Sequence, residues 1–109
     1  MITRNKTLKL IKEKVDGRTT GKVRLKKRVT SDVVCGVFRH KENKTIKDLF
    51  KRGNSVMCID ENYEIYNINE LETKALQAIL WQVITDKEKK EIAVEHLYST
   101  FNHLKEIEN

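Results

Sequence analysis

Several residue types and patterns are scarce in this chain of 109 residues. It has no proline, one tryptophan and two cysteines, and no apolar run near the ~20 residues that a membrane span needs. The N-terminus also lacks the apolar core of about 7–15 residues found in secretory signal peptides. Cys35 and Cys58 each lie in an apolar run, as buried thiols of a reducing compartment do, so a disulfide is not favoured. We expect a cytoplasmic protein without a membrane segment.

Charge is unevenly distributed along the chain. Residues 1–52 carry 17 Lys and Arg against 5 Asp and Glu, a net +12, whereas residues 53–109 carry 5 against 11, a net −6. Clustered like charge repels itself unless a partner neutralises it, so the basic half predicts a nucleic acid or an acidic protein surface as partner. Lysine outnumbers arginine 16 to 6, and this usage suggests an AT-rich genome such as that of a low-GC bacterium or its phages.

The periodicity of apolar residues predicts one α+β domain: a small, mainly antiparallel sheet of about four strands, a short N-terminal helix, one short connecting helix and a C-terminal two-helix hairpin. Its three parts are a basic helical arm and hinge over 1–21, the sheet with its short helix over 22–68, and the helical hairpin over 69–109. The predicted elements are a helix over 3–15, strands over 22–29 and 33–38 joined by a turn at 30–32, a helix over 45–50 ended by Gly53, strands over 55–59 and 63–68, and helices over 69–85 and 85–107. Capping boxes at Thr45, Asn69 and Thr85 mark the starts of the last three helices.

The main candidate site is a row of cations on the predicted strand over 22–29. Strand alternation directs Val23 and Leu25 to one face and the cations to the other. The cations of this row are Lys22, Arg24, Lys26 and Arg28. Five further residues of the basic half are assigned to the same binding surface, namely Lys6, Lys9, Lys12, Lys27 and Arg39. The alternative interpretation is a solvated strand face, or a face that pairs with the acidic half of the chain.

Candidate catalytic and metal sites are weak. Asp60, Glu72 and Lys74 have the residue types of a metal-dependent nuclease. However, Glu72 and Lys74 fall in the first turn of a predicted helix, where an acidic residue stabilises the helix dipole. Two further pairs lack converging partners, namely His96 with His103 for zinc and Cys35 with His40 for thiol catalysis. We therefore predict a non-enzymatic protein without a cofactor or a metal.

Exposed aromatic rings are what single-stranded nucleic acids stack on, and the chain has few to offer. Of the seven aromatic residues, four lie in apolar patterns and are predicted to be in the core: Phe38, Phe50, Trp81 and Phe101. Tyr63 and Tyr66 lie outside the basic half. Contact with backbone phosphates, rather than base stacking, is therefore the predicted mode of binding.

Two functions fit this sequence. The first is a small regulatory protein that binds DNA or RNA through phosphate contacts of its basic half, with the C-terminal helical hairpin supplying the core or a homodimer surface. The second is a phage-type inhibitor or adaptor whose charged faces bind a larger host enzyme or nucleoprotein complex. The first is favoured because the cations lie on a regular element.

Overall fold

The protein is an antiparallel sheet with helices packed on one face. A computed structural model describes residues 2–35 and 40–95, with Cys35 and His40 described by their backbone only. Its elements are α1 (Arg4–Asp16), β1 (Lys22–Cys35), β2 (His40–Arg52), β3 (Ser55–Asp60), β4 (Ile65–Asn67), a 3-10 helix (Ile68–Glu70), α2 (Thr73–Val83) and α3, described over 86–95. The strands follow one another in the order β1-β2-β3-β4, each antiparallel to the next. The predicted α+β fold is confirmed.

The core lies between the sheet and the helices α1 and α2. Leu76, Ile79 and Leu80 of α2 are almost completely buried, as are Ile11 and Val15 of α1. Their 3–4 spacing places them on one stripe of each helix, which explains why the helical pattern was readable in the sequence. Leu97, Phe101 and Leu104, apolar residues of the helix predicted over 85–107, lie outside the described residues.

Helix α1 is docked on the body of the protein. The Thr3 hydroxyl accepts a hydrogen bond from the Lys6 amide at 3.3 Å and caps the helix start. The Arg4 guanidinium donates to the Thr73 hydroxyl at 3.2 Å and to the Asn69 carbonyl at 2.6 Å, at the start of α2. A helix of 13 residues is marginal alone in water, so these contacts and its buried face stabilise it.

Helix α3 follows α2 after Ile84 and Thr85, and the predicted capping box at Thr85 is confirmed. The Glu88 amide donates to the Thr85 hydroxyl at 3.2 Å, and the Thr85 amide donates to the Glu88 carboxylate at 3.2 Å. Ion pairs join Lys6 to Glu95 and Lys14 to Glu88, so α3 runs antiparallel to α1. Ile92 packs against the core.

The predicted turn at residues 30–32 is wrong. Strand β1 continues through it, with Thr30 opposite Thr45 and Asp32 opposite Asn43 of β2. Pairing extends to Cys35 opposite His40. Polar residues such as these are tolerated inside a strand when their neighbours across the sheet are also polar, and here Asn43 donates to the Asp32 carboxylate at 3.0 Å.

The predicted helix over residues 45–50 is also wrong, because this segment belongs to β2. Ile46 and Leu49 are both buried although they are three positions apart, which is helical spacing. The register against β3 shifts by one residue between Ile46 and Asp48. This bulge reverses the alternation, so that both side chains face the core. Gly53, predicted as a helix cap, instead takes its positive φ of 61° in the two-residue turn between β2 and β3.

The remaining strands are close to their predicted positions. The turn at Asp60 joins β3 and β4, as expected. The helix predicted to start at Asn69 begins only at Thr73. The predicted capping box of Asn69 and Glu72 is replaced by one two residues earlier, between Asn67 and Glu70, on the 3-10 helix. This 3-10 helix is the short connecting helix of the fold.

Acid should weaken the packing of α3 on α1 through Glu88. The hydrogen bond from the Lys14 ammonium, followed by that from the Thr85 amide, lowers the pKa of Glu88 below its ordinary value of 4.5. A lowered folded pKa means that this stabilisation is complete above the unfolded pKa and is lost as the pH falls through the folded value. We expect the melting temperature of E88Q to fall less than that of the wild type between about pH 5 and about pH 3.

The matched control for E88Q is E91Q, since Glu91 is exposed on the same helix and forms no ion pair within residues 2–35 and 40–95. Its melting profile against pH should parallel that of the wild type. Identical acid sensitivity of E88Q and wild type would contradict the assigned role of the Lys14 pair.

Candidate nucleic-acid interface

Strand β1 forms an edge of the sheet and carries the predicted cations. It pairs with β2 along one side, and along its other side the described residues supply a single bridge, from Val33 to Leu71. Val23 and Leu25 are buried against the helices. Lys22 and Arg24 therefore point to the opposite face of the sheet.

The regular alternation of β1 ends after Arg24. Between Arg24 and Val29 the strand has four residues, whereas β2 has only Lys47 between their partners Asp48 and Ile46. The additional residues form a bulge in which Lys26, Lys27 and Arg28 are exposed. The predicted row of evenly spaced cations is therefore interrupted at its middle.

The side chain of Gln82 on α2 fixes this bulge. Its Oε1 accepts a hydrogen bond from the Lys27 amide at 2.9 Å, and its Nε2 donates to the Lys27 carbonyl at 2.8 Å. The side-chain amide thus satisfies both backbone groups of Lys27, which lies outside the regular pairing of β1 with β2. Because α2 is anchored by its buried stripe, Lys26 and Lys27 are held beside that helix.

Four cations of β1 form no ion pair with any described residue: Lys22, Arg24, Lys26 and Lys27. Other basic residues do have acidic partners. The pairs are Lys6 with Glu95, Lys14 with Glu88, Arg28 with Glu61, Lys44 with Glu42 and Glu64, Lys51 with Asp16, and Lys89 with Asp86. We call the four unpaired cations of β1 the basic edge.

The other predicted binding residues do not join the basic edge. Lys6 and Arg28 are engaged in the ion pairs given above. Lys9 and Lys12 line a separate depression of about 360 Å³ next to Asn54 in the β2–β3 turn. Arg39 lies outside the described residues.

Trp81 was predicted to be in the core, and this is wrong. Its side chain is 47% exposed on α2 and lines a depression of about 580 Å³. The lining residues are Lys26, Lys27, Gln77, Ala78, Trp81, Gln82 and Lys89. Sequence reasoning missed this surface, although the helical spacing of Gln77, Ala78, Trp81 and Gln82 places them together, away from the stripe of Leu76, Ile79, Leu80 and Val83.

Phe50 is also placed differently from its prediction. It lies opposite Lys22 in the register of β1 and β2, on the face of the sheet away from the helices, and is half-buried. The aromatic residues Phe38 and Phe101 lie outside the described residues. Tyr66 packs at the margin of the core and donates a hydrogen bond to the Asp60 carboxylate at 3.3 Å.

The residues suggested for a nuclease centre are not brought together in one depression. Asp60 is 1% exposed and accepts hydrogen bonds from the amides of Asn62 and Glu64 at 2.8 and 3.0 Å, a role in the β3–β4 turn. Glu72 and Lys74 line another depression, in which Asp60 has no part. Within the described segments, no three His, Cys, Asp or Glu side chains are grouped to hold a metal.

Among the cysteine and histidine side chains considered as candidate sites, the structure describes that of Cys58. Cys58 is a free thiol, as predicted, and donates to the Tyr66 carbonyl at 3.4 Å. Burial raises its pKa to about 12, which leaves it unreactive as a nucleophile at neutral pH. The side chains of Cys35 and His40, together with His96 and His103, lie outside the described residues.

Comparison with known proteins gives no information on the function of this interface. The chain has no significant match to a protein-family model, a curated protein or a solved structure. Among the helices that the structure describes, none has the length and apolarity required to cross a membrane.

Proposed function

We propose that this protein is a small, non-enzymatic regulatory protein of the cytoplasm that binds nucleic acid through phosphate contacts of the basic edge. The observation that carries the proposal is the absence of acidic partners for Lys22, Arg24, Lys26 and Lys27 among the described residues. Adjacent unpaired cations on an exposed strand repel one another, and a polyanion relieves that repulsion. Phosphate contacts of this kind position a protein on nucleic acid without reading its sequence.

The proposal predicts a steep dependence of duplex affinity on salt. Each cation that contacts a phosphate releases condensed counterion, which contributes about −0.9 to the slope of log K against log salt. Four contacts predict a slope of about −3.6. The measurement is fluorescence anisotropy with a labelled duplex over a series of salt concentrations, repeated with a second duplex of unrelated sequence.

The two duplexes should give the same slope and similar affinities. Absence of binding at low salt would contradict the proposed function. A strong preference for one of the sequences would also contradict it, because base readout would then contribute more than phosphate contact.

A second function, binding to a protein partner, is favoured by the sheet face away from the helices. Phe50 and Met57 are opposite each other on this face, and Ile59 lies opposite Ile65. Apolar side chains grouped on a sheet face are typical of protein contacts, as expected of an inhibitor or adaptor of a larger host enzyme. A stoichiometric protein partner that survives nuclease treatment of the lysate would favour this function.

A further inference from the structure

We propose that the depression around Trp81 binds a base of single-stranded nucleic acid, with the indole ring stacked on the base and Lys26 and Lys27 contacting the adjoining phosphates. The inference rests on the proposed function and adds to it a mode of binding that only single strands use. It also reverses the prediction from sequence, which assigned Trp81 to the core and favoured phosphate contact over stacking.

The indole ring of Trp81 is exposed on α2. Trp81 is the only tryptophan of the chain and lies beside Leu80, which is buried. A tryptophan usually buries most of its large apolar surface in a folded protein. In this case the adjacent helical positions Gln77 and Ala78 leave a shallow opening next to the ring, which suits a flat ligand.

The depression around the indole ring is positively charged. Every ionisable residue that lines the depression is a lysine: Lys26, Lys27 and Lys89. The Lys89 ammonium lies 5.7 Å from the centre of the indole ring and 3.7 Å from the exposed carboxylate of Asp86. An aromatic ring within a positively charged groove is the combination by which proteins bind single strands without sequence preference.

The bulge that carries two of these lysines is held in place through its backbone. Both backbone groups of Lys27 are hydrogen-bonded to Gln82, which is one residue beyond Trp81 on α2. The bulge and the ring are thus fixed to the same helix turn. A preorganised site loses less conformational entropy on binding than one assembled from mobile segments.

The structure contains a second exposed aromatic ring in a contrasting environment. Tyr63 is 76% exposed and has the Lys47 ammonium 3.7 Å from its ring centre. Its neighbours in the β3–β4 turn include Glu61 and Glu64, whose charges repel phosphate. Tyr63 is therefore the matched control, being an exposed ring with a cation above it but outside a basic groove.

The test uses the single tryptophan as its own reporter. The full chain is titrated at low salt with oligomers of deoxythymidine and of uridine of about 12 nucleotides, and with a duplex of the same length. Stacking should quench the fluorescence of Trp81 with the single strands and leave it nearly unchanged with the duplex, whose bases are already stacked. The DNA and RNA oligomers show which backbone the site accepts.

Variants then separate the ring from the charges, with anisotropy of labelled oligomers as the readout. W81A should weaken single-strand binding between about 5-fold and about 150-fold, the range for loss of one stacked base, and W81F should recover part of it. Duplex affinity of W81A should stay within about twofold. Y63A should bind both ligands like the wild type.

The outcomes distinguish failure of the stacking site from failure of the proposed function. Wild-type single-strand affinity in W81A would overturn the stacking site, while salt-dependent duplex binding would still support the basic edge. If the wild type bound neither the oligomers nor the duplex, both the stacking site and the proposed function would be overturned. Binding of a protein partner that quenches Trp81, with no quenching by either oligomer, would assign the depression to a protein contact and overturn the inference.

Discussion

Replacing Leu80 by alanine should lower the free energy of unfolding by about 2–5 kcal/mol. Leu80 is 1% exposed in the contact between α2 and the sheet. Truncation removes buried methyl groups and leaves a cavity that the surrounding side chains fill only partly. Urea denaturation followed by far-UV circular dichroism measures the change.

W81A is the control for L80A because it removes a larger side chain from the next position of the same helix. Since the Trp81 side chain is half-exposed, W81A should lower the free energy of unfolding by no more than about 1 kcal/mol. If L80A lost less free energy of unfolding than W81A, the buried face of α2 would not be the one that contains Leu80.

Reversing the charges of the bulge in K26E/K27E should weaken duplex binding on the order of 100-fold at about 0.05 M salt. Each lost phosphate contact removes about 0.9 from the salt exponent, so the slope should also become shallower by about 1.8. The variant should fold, because Gln82 holds the backbone of Lys27 and not its side chain. Anisotropy against salt measures both quantities.

K87E/K90E is the matched control for the charge reversal. Lys87 and Lys90 are exposed on α3 and, like the bulge lysines, lack an ion pair with any residue of the described segments. Both double variants change the net charge by the same amount. Equal weakening by the two variants would mean that total charge, not the basic edge, governs binding.

Helices and strands with regular side-chain periods were predicted correctly from the sequence. The buried stripe of α2 and the alternation at Val23 and Leu25 follow from local geometry, since each period belongs to one element. The capping box at Thr85 is equally local, because its hydrogen bonds join residues three apart. Such features depend little on the remainder of the chain.

The errors arose where a strand departs from its regular period. Ile46 and Leu49 have the spacing of a helix, and only the bulge against β3 makes that spacing compatible with a strand. A bulge is defined by a partner strand, so one segment read alone cannot reveal it. The bulge between Arg24 and Val29 divided the predicted row of cations for the same reason.

For the candidate site, too, some features could be predicted from the sequence, and others depend on the tertiary structure. The sequence by itself determined that the front half is basic and that five cations lie within residues 22–28, because charge is a property of composition. Only the tertiary structure decided which cations remain unpaired, since Glu61 and Glu95 reach Arg28 and Lys6 from distant positions. It also brought Trp81 beside Lys26 and Lys27, because two hydrogen bonds between the Gln82 side chain and the Lys27 backbone join α2 to a strand some 55 residues earlier in the chain.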